Sequence, residues 1–119
     1  MNSDELKERT KQFAIKIIKL MESLPKGKVS DVLGKQLLRS ATSVGANYRA
    51  ACRARSKADF ISKITIVEEE ADESLYWLEL MAQSRLLENE HFVPLMKEAD
   101  ELTAIFTASG KTAKGKTKL

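Results

Sequence analysis

One short segment has the spacing of a metal-binding motif. Glu88 and His91 stand three residues apart, which is the Glu-x-x-His pattern that di-iron and di-manganese carboxylate proteins use inside helical bundles. Such a site needs that motif from two helices and two further glutamates, whereas His91 is the sequence's one histidine. The motif also falls at a predicted junction between helices. We therefore predict no metal site and no cofactor.

The residues that could support nucleophilic or acid–base catalysis are also poorly placed. Cys52 would need a basic partner, and His91 belongs to a different connection, so a small thiol on a helix is better explained as a packing residue. The carboxylates are too numerous and too regularly spaced to single out an acid–base pair. There is no glycine-rich phosphate-binding loop. We predict no catalytic residues and no enzymatic activity.

A basic cluster is the strongest candidate for a binding site. From position 26 to position 57 the sequence has eight lysines and arginines and one acid, Asp31. We expect Arg39 to pair with Glu68 or Asp72 of the following helix. The bases left at one end of the predicted fold are Arg49, Arg53, Arg55 and Lys57. Guanidinium groups match phosphates well, so these four are predicted to bind nucleic acid; a solvated basic corner is the alternative.

Four segments with a helical period must position this cluster. Apolar residues recur every three or four positions, as in Phe13, Ile17 and Leu20, which predicts helices near 3–24, 30–54, 56–87 and 91–109. Ser3 is the expected N-cap of the first helix and Ser56 that of the third.

The connections between these helices are short, and short connections make neighbouring helices antiparallel. The predicted fold is therefore all-α, an up-down-up-down four-helix bundle over 1–110, followed by a basic disordered tail at 111–119. The run of small residues at 40–46, which includes Gly45, predicts a close helix contact.

The third helix has more apolar surface than one core can bury. Tyr76 and Trp77 lie in a run of four consecutive large apolar residues, 75–78, which point all around the helix axis. A wide internal stripe would explain part of this run. Contiguous exposed apolar surface usually marks an interface, so we predict a homo-oligomer with Tyr76 or Trp77 near a subunit contact.

Composition sets the cellular setting. The 119 residues are 43% hydrophobic and 31% charged, which is typical of a globular protein, and the net charge is +3. The single cysteine forms no internal disulfide, and no apolar run approaches the roughly 20 residues that span a bilayer. We expect a cytoplasmic protein that is not embedded in a membrane.

Two segments resemble a known family. Residues 34–51 read GKQLLRSATSVGANYRAA, and the sequence continues with RSKADF at 55–60 and EEADE at 69–73. These segments resemble the four-helix-bundle proteins encoded in intervening sequences of large-subunit ribosomal RNA. The resemblance implies a ring, typically a homopentamer, and a relation to the accessory proteins of diversity-generating retroelements, which bind nucleic acid and a reverse transcriptase. Where many members have Asn-Ile-Ala-Glu-Gly, this sequence has Asn-Tyr-Arg-Ala-Ala at 47–51.

The predicted function follows from the cluster and the association. A ring would repeat the basic cluster and increase its avidity for phosphates. We expect a non-enzymatic, sequence-tolerant adaptor that binds RNA or DNA or joins a ribonucleoprotein. The alternative is a structural scaffold for a partner protein with no nucleic-acid role.

Overall fold

The chain forms four long α-helices, as predicted. A computed structural model describes residues 1–117, and helices α1 (Ser3–Ser23), α2 (Lys28–Cys52), α3 (Lys57–Gln83) and α4 (Val93–Thr117) fill most of that range. A short 3-10 helix, Asn89–His91, precedes α4. The described part contains no strand. The all-α prediction is confirmed.

The helices pack as an antiparallel bundle in which each helix lies against the next one in the chain. Contacts are extensive between α1 and α2, α2 and α3, and α3 and α4, and they are sparse between α1 and α4. The predicted apolar stripes meet in one core, with Phe13, Ile17, Leu37, Ile64 and Phe106 almost completely buried. Burial of these faces, at roughly 25 cal/mol per Å² of apolar surface, is the main stabilising term of the bundle.

The helix starts differ from the predicted ones where a neighbouring residue caps better. Asn2, not Ser3, caps α1, because its side-chain oxygen accepts the backbone N–H of Glu5 at 2.8 Å. Helix α2 begins two residues early, since Gly27 adopts φ 154° and its carbonyl accepts the N–H of Asp31. The Ser56 cap of α3 is confirmed: its hydroxyl oxygen accepts the N–H of Asp59 at 3.1 Å.

Helix α3 ends four residues earlier than predicted because the backbone of Arg85 adopts the left-handed conformation, with φ 58°. The N–H of Leu86 donates to the carbonyl of Met81, and the N–H of Arg85 donates to the carbonyl of Ala82. This pair of bonds is the Schellman motif, which usually has glycine where this chain has Arg85.

Helix α4 does not stop near position 109. It continues through Gly110 to Thr117, so 111–117 of the predicted disordered tail are helical, and 118–119 lie outside the described residues. Gly110 is buried and faces α3: a methyl group there would lie 3.5 Å from Ile64 Cγ2. The glycine therefore marks a packed helix face and not a helix end.

Candidate nucleic-acid interface

The four predicted nucleic-acid-binding residues lie together at the turn between α2 and α3. Arg49 is in the last turn of α2, Arg53 is its C-cap, Arg55 is in the connection, and Lys57 begins α3. All four are exposed. None of their side chains forms an ion pair with another described side chain within 1–117, although the Asp59 carboxylate, which accepts the backbone N–H of Arg55, partly offsets the charge of Arg55.

The cations elsewhere that are paired give a useful contrast. Arg39 donates to Glu70 at 3.2 Å and to Glu73 at 2.9 Å, and these bonds raise the pKa of Arg39. The predicted partners, Glu68 and Asp72, are therefore wrong, although a structural role for Arg39 is confirmed. Ser74, next to Glu73, donates to Ser40, which places Glu70 and Glu73 on the side of α3 that faces α2.

Glu68 lies on the opposite side of α3, toward α4. Its carboxylate accepts the hydroxyl of Thr107 at 2.7 Å. Together with Glu69 and Asp72, it lines a shallow acidic groove between α3 and α4 that Thr65 and Thr103 complete. A polyanion would be repelled from this face of the bundle, which leaves the basic turn as the surface it can approach.

Close packing of α1 on α2 shapes the surface beside the basic turn. A methyl group at Gly45 would lie 3.2 Å from Thr10 Oγ1, and one at Gly34 would lie 3.3 Å from Met21 Sδ. The close contact that the small residues at 40–46 predicted is therefore present. Gly45 meets α1, while Ser40, in the same run, meets α3.

Cys52 lies among the residues that pack against the core. It is partly buried against the core. Burial and a hydrogen bond with the Cys52 thiol raise the pKa of the neighbouring Tyr48 above its usual value. Glu88 and His91 are exposed in and beside the 3-10 helix. No group of three or more His, Cys, Asp and Glu residues within 1–117 is arranged to hold a metal ion.

The predicted interface residues lie far from the basic turn. Tyr76 is 54% exposed and contacts Trp77 edge to face, with ring centroids 5.0 Å apart. Trp77 is partly buried and donates to Glu73. From Lys57 to Tyr76 the rise along α3 is about 30 Å.

Sequence reasoning missed two exposed valines near the same end as Tyr76. Val29 and Val32, in the first turns of α2, are 55% and 56% exposed. Because α2 and α3 are antiparallel, these turns lie beside the C-terminal turns of α3. Both valines stand among polar residues at the start of a helix, so they belong to no periodic apolar pattern that would have identified them.

Comparison with known proteins decides the family. Residues 3–108 match the family described as 23S rRNA-intervening sequence protein. The chain belongs to that family. The match spans most of all four helices, so the resemblance seen in 34–51 extends over nearly the whole bundle. No curated protein matches the chain.

A solved structure supports the 23S rRNA-intervening sequence fold. The crystal structure of a protein of unknown function from the S23 ribosomal protein family of Bacteroides thetaiotaomicron VPI-5482 is 35% identical to this chain. The similarity has a TM-score of 0.85 and covers 93% of this chain and 99% of that one. Within 1–117, no helix is both long enough and apolar enough to span a membrane.

Proposed function

We propose that this chain is a non-enzymatic, oligomeric adaptor that binds the phosphates of RNA or DNA through Arg49, Arg53, Arg55 and Lys57. One observation carries the proposal: these four exposed cations lie together at the turn between α2 and α3, and none has an ion-pair partner among the described side chains. Unpaired, closely spaced guanidinium and ammonium groups suit phosphate binding without base recognition.

Association strengthens this proposal. One copy of the cluster contacts few phosphates and would bind weakly at physiological salt. A homo-oligomer, with a ring of five as the resemblance implies, repeats the cluster and adds avidity without new kinds of contact. The proposed subunit contact uses Tyr76 and Trp77, about 30 Å from the basic turn, so association would leave that turn accessible.

The finer biological setting is part of the same proposal. A cytoplasmic ribonucleoprotein fits the single cysteine and the mild positive charge. A role beside a reverse transcriptase, as in the accessory proteins of diversity-generating retroelements, would use the same phosphate-binding surface.

Salt-dependent binding tests the proposal. Anisotropy of labelled RNA and DNA should show binding at low salt that weakens steeply as salt rises. Changing all four residues to glutamine should lower the slope of log K against log salt by about 3. The matched control changes Lys16, Lys19, Lys26 and Lys28 to glutamine and removes the same charge from other exposed positions. Absence of binding at low salt, or equal losses in the two variants, would refute it.

A scaffold for a partner protein is the second candidate, and the exposed Val29, Val32 and Tyr76 favour it. An apolar contact of this kind should be nearly insensitive to salt. A partner retained at high salt by a chain that binds no nucleic acid would support the scaffold in place of the adaptor.

A further inference from the structure

The contacts between α1 and α2 fix which side chains lie beside each other along their seam. Thr10 meets Gly45, and Met21 meets Gly34, so the two antiparallel helices are in register along this length. One turn before Thr10 lies Lys7, and one turn after Gly45 lies Arg49. Lys7 and Arg49 are therefore neighbours across the seam, although 42 positions separate them in the sequence.

Helical spacing extends this pair into a strip. Lys11 is one turn beyond Lys7 on the same face of α1, and Arg53 is one turn beyond Arg49 on α2. Because the helices are antiparallel, Arg53 lies at the end of the bundle and Lys11 toward its middle. The four cations follow the seam over about 14 Å.

The acid that pairs with a cation of the strip neutralises little of its charge. Asp4 approaches Lys7 at 4.0 Å, and its side chain is 92% exposed. An exposed pair at that distance contributes little attraction in water and is screened by salt. Lys11, Arg49 and Arg53 form no ion pair with any described side chain.

The surface between the two rows of cations is low. Gly45 lies at the contact itself, while Thr42 and Ala46 on α2 and Ala14 on α1 continue the two rows of cations with short side chains. The Thr42 hydroxyl donates back to the carbonyl of Leu38 at 2.7 Å, so it is already satisfied within the helix. A rigid polyanion can lie close to such a surface without displacing a long side chain.

The aromatic side chains are all placed elsewhere. Phe13, Phe92, Phe106 and Tyr48 are buried in the core. Phe60 packs against the core from the start of α3, and Tyr76 and Trp77 contact each other farther along that helix. Single-strand binding proteins rely on aromatic stacking with bases, which this seam does not offer. Its chemistry is attraction to phosphate alone.

A duplex presents the higher density of phosphate charge. Double-stranded DNA carries about one charge per 1.7 Å of its axis, and each neutralised phosphate contributes more to the salt dependence than in a single strand. We propose that the α1–α2 seam, with Lys7, Lys11, Arg49 and Arg53, is a docking surface for the backbone of double-helical nucleic acid. This inference rests on the proposed function and adds Lys7, Lys11 and the duplex to it.

A pair of double variants on one helix tests the surface. Lys7→Gln with Lys11→Gln removes two charges from the seam. Lys16→Gln with Lys19→Gln removes two from other faces of α1, where both residues are exposed. Binding of labelled RNA duplex, DNA duplex and the matching single strands is measured by anisotropy at about 0.1 M salt, where each lost phosphate contact costs roughly eightfold. We expect the seam variant, which loses two such contacts, to lose duplex affinity about sixtyfold, and the control to stay within about twofold of wild type.

The outcomes separate this inference from the function on which it rests. If wild type binds no nucleic acid, the proposed function itself fails. If wild type binds but the two double variants lose affinity equally, the seam is wrong while the basic turn still stands. If single strands bind as tightly as duplexes of the same length, the assignment to double-helical nucleic acid is overturned. Circular dichroism confirms that both variants remain helical.

Discussion

Arg9 of α1 and Glu98 of α4 form a bidentate ion pair that joins the first and last helices. Arg9 Nε lies 2.7 Å from Oε2 of Glu98, and one terminal nitrogen lies 2.6 Å from Oε1. The hydrogen bond with Glu98 is the main cause of a raised pKa at Arg9. Both side chains are about three-quarters buried, and they lie where α1 and α4 otherwise make few contacts.

We expect this pair to contribute more stability than the Arg39–Glu73 pair. A double-mutant cycle with glutamine at positions 9 and 98 should give a coupling energy of about 1.5–3 kcal/mol. Arg39 is 53% exposed, so the same cycle at 39 and 73 should give less than about 1 kcal/mol. Urea unfolding measures both. Equal couplings would show that burial does not strengthen the Arg9–Glu98 pair.

Two glycines of α2 should respond in opposite ways to alanine. Gly45→Ala places a methyl group 3.2 Å from Thr10 Oγ1, which is held by hydrogen bonds to two carbonyls of α1, and we expect a loss of about 1 kcal/mol. Gly34→Ala meets only the flexible ends of Met21 and Leu24, so the gain in helix propensity should make it neutral or stabilising by up to about 1 kcal/mol. Chemical denaturation distinguishes them, and a stabilised Gly45→Ala protein would be inconsistent with this packing.

Arg85→Gly should stabilise the fold. Arg85 has φ 58°, a conformation that costs most residues about 1 kcal/mol and glycine almost nothing. The matched control is Ser84→Gly, because Ser84 has φ −83° and gains no relief there. We expect a higher unfolding midpoint for the first variant and a lower one for the second. A decrease in both would show that the Arg85 side chain stabilises the turn.

Asp59 should make stability depend on acid pH. Hydrogen bonds from Lys63 and from the backbone N–H of Arg55 lower the pKa of Asp59 below its usual value. Its carboxylate therefore stabilises the fold above the unfolded-state pKa of about 4, and that stability is lost as pH falls through the lower folded-state value. In a plot of the free energy of unfolding against pH, Asp59→Asn should flatten the curve in this acid range and leave its shape unchanged near neutrality. An unaltered acid limb in denaturation curves would disprove the assignment.

Self-association should depend on the end of the bundle where α2 begins and α3 ends. Val32→Asp or Tyr76→Asp puts a charge in an exposed apolar area, and we expect the mass from light scattering to fall toward that of a single chain. Val93→Asp changes a valine that is 47% exposed at the same end of the bundle but on α4, which does not pack extensively against α2, and it should leave the mass unchanged. A wild-type chain that is monomeric would remove the basis of this prediction.

The helices could be predicted from sequence because their signals are local. Leu6, Phe13 and Ile17 repeat at helical spacing and are buried, and Ser56 caps α3 through a bond that spans three residues. The end of α4 could not be predicted in this way. Whether Gly110 ends a helix depends on Ile64, which approaches it from a different element.

Only part of the candidate site could be predicted from the sequence, because the rest depends on contacts between different helices. Arg49 and Arg53 are close in sequence to Arg55 and Lys57, so their common location could be inferred. Lys7 becomes their neighbour only through the contact of Thr10 with Gly45. The partners of Arg39 depended on which side of α3 faces α2: Glu70 and Glu73 lie on that side, whereas Glu68 bonds to Thr107 of α4.

The order in which the helices pack bears on how the chain folds. Each helix rests chiefly on the one that precedes or follows it, so most contacts join residues that are near in sequence. Such a topology has a low contact order, and the loop-closure entropy lost before the first contacts form is small. The contacts between α2 and α3 join two consecutive helices and need no residue of α4. The meeting of Arg9 with Glu98, 89 residues apart, joins two of the most distant parts of the described chain and requires α4 to be present.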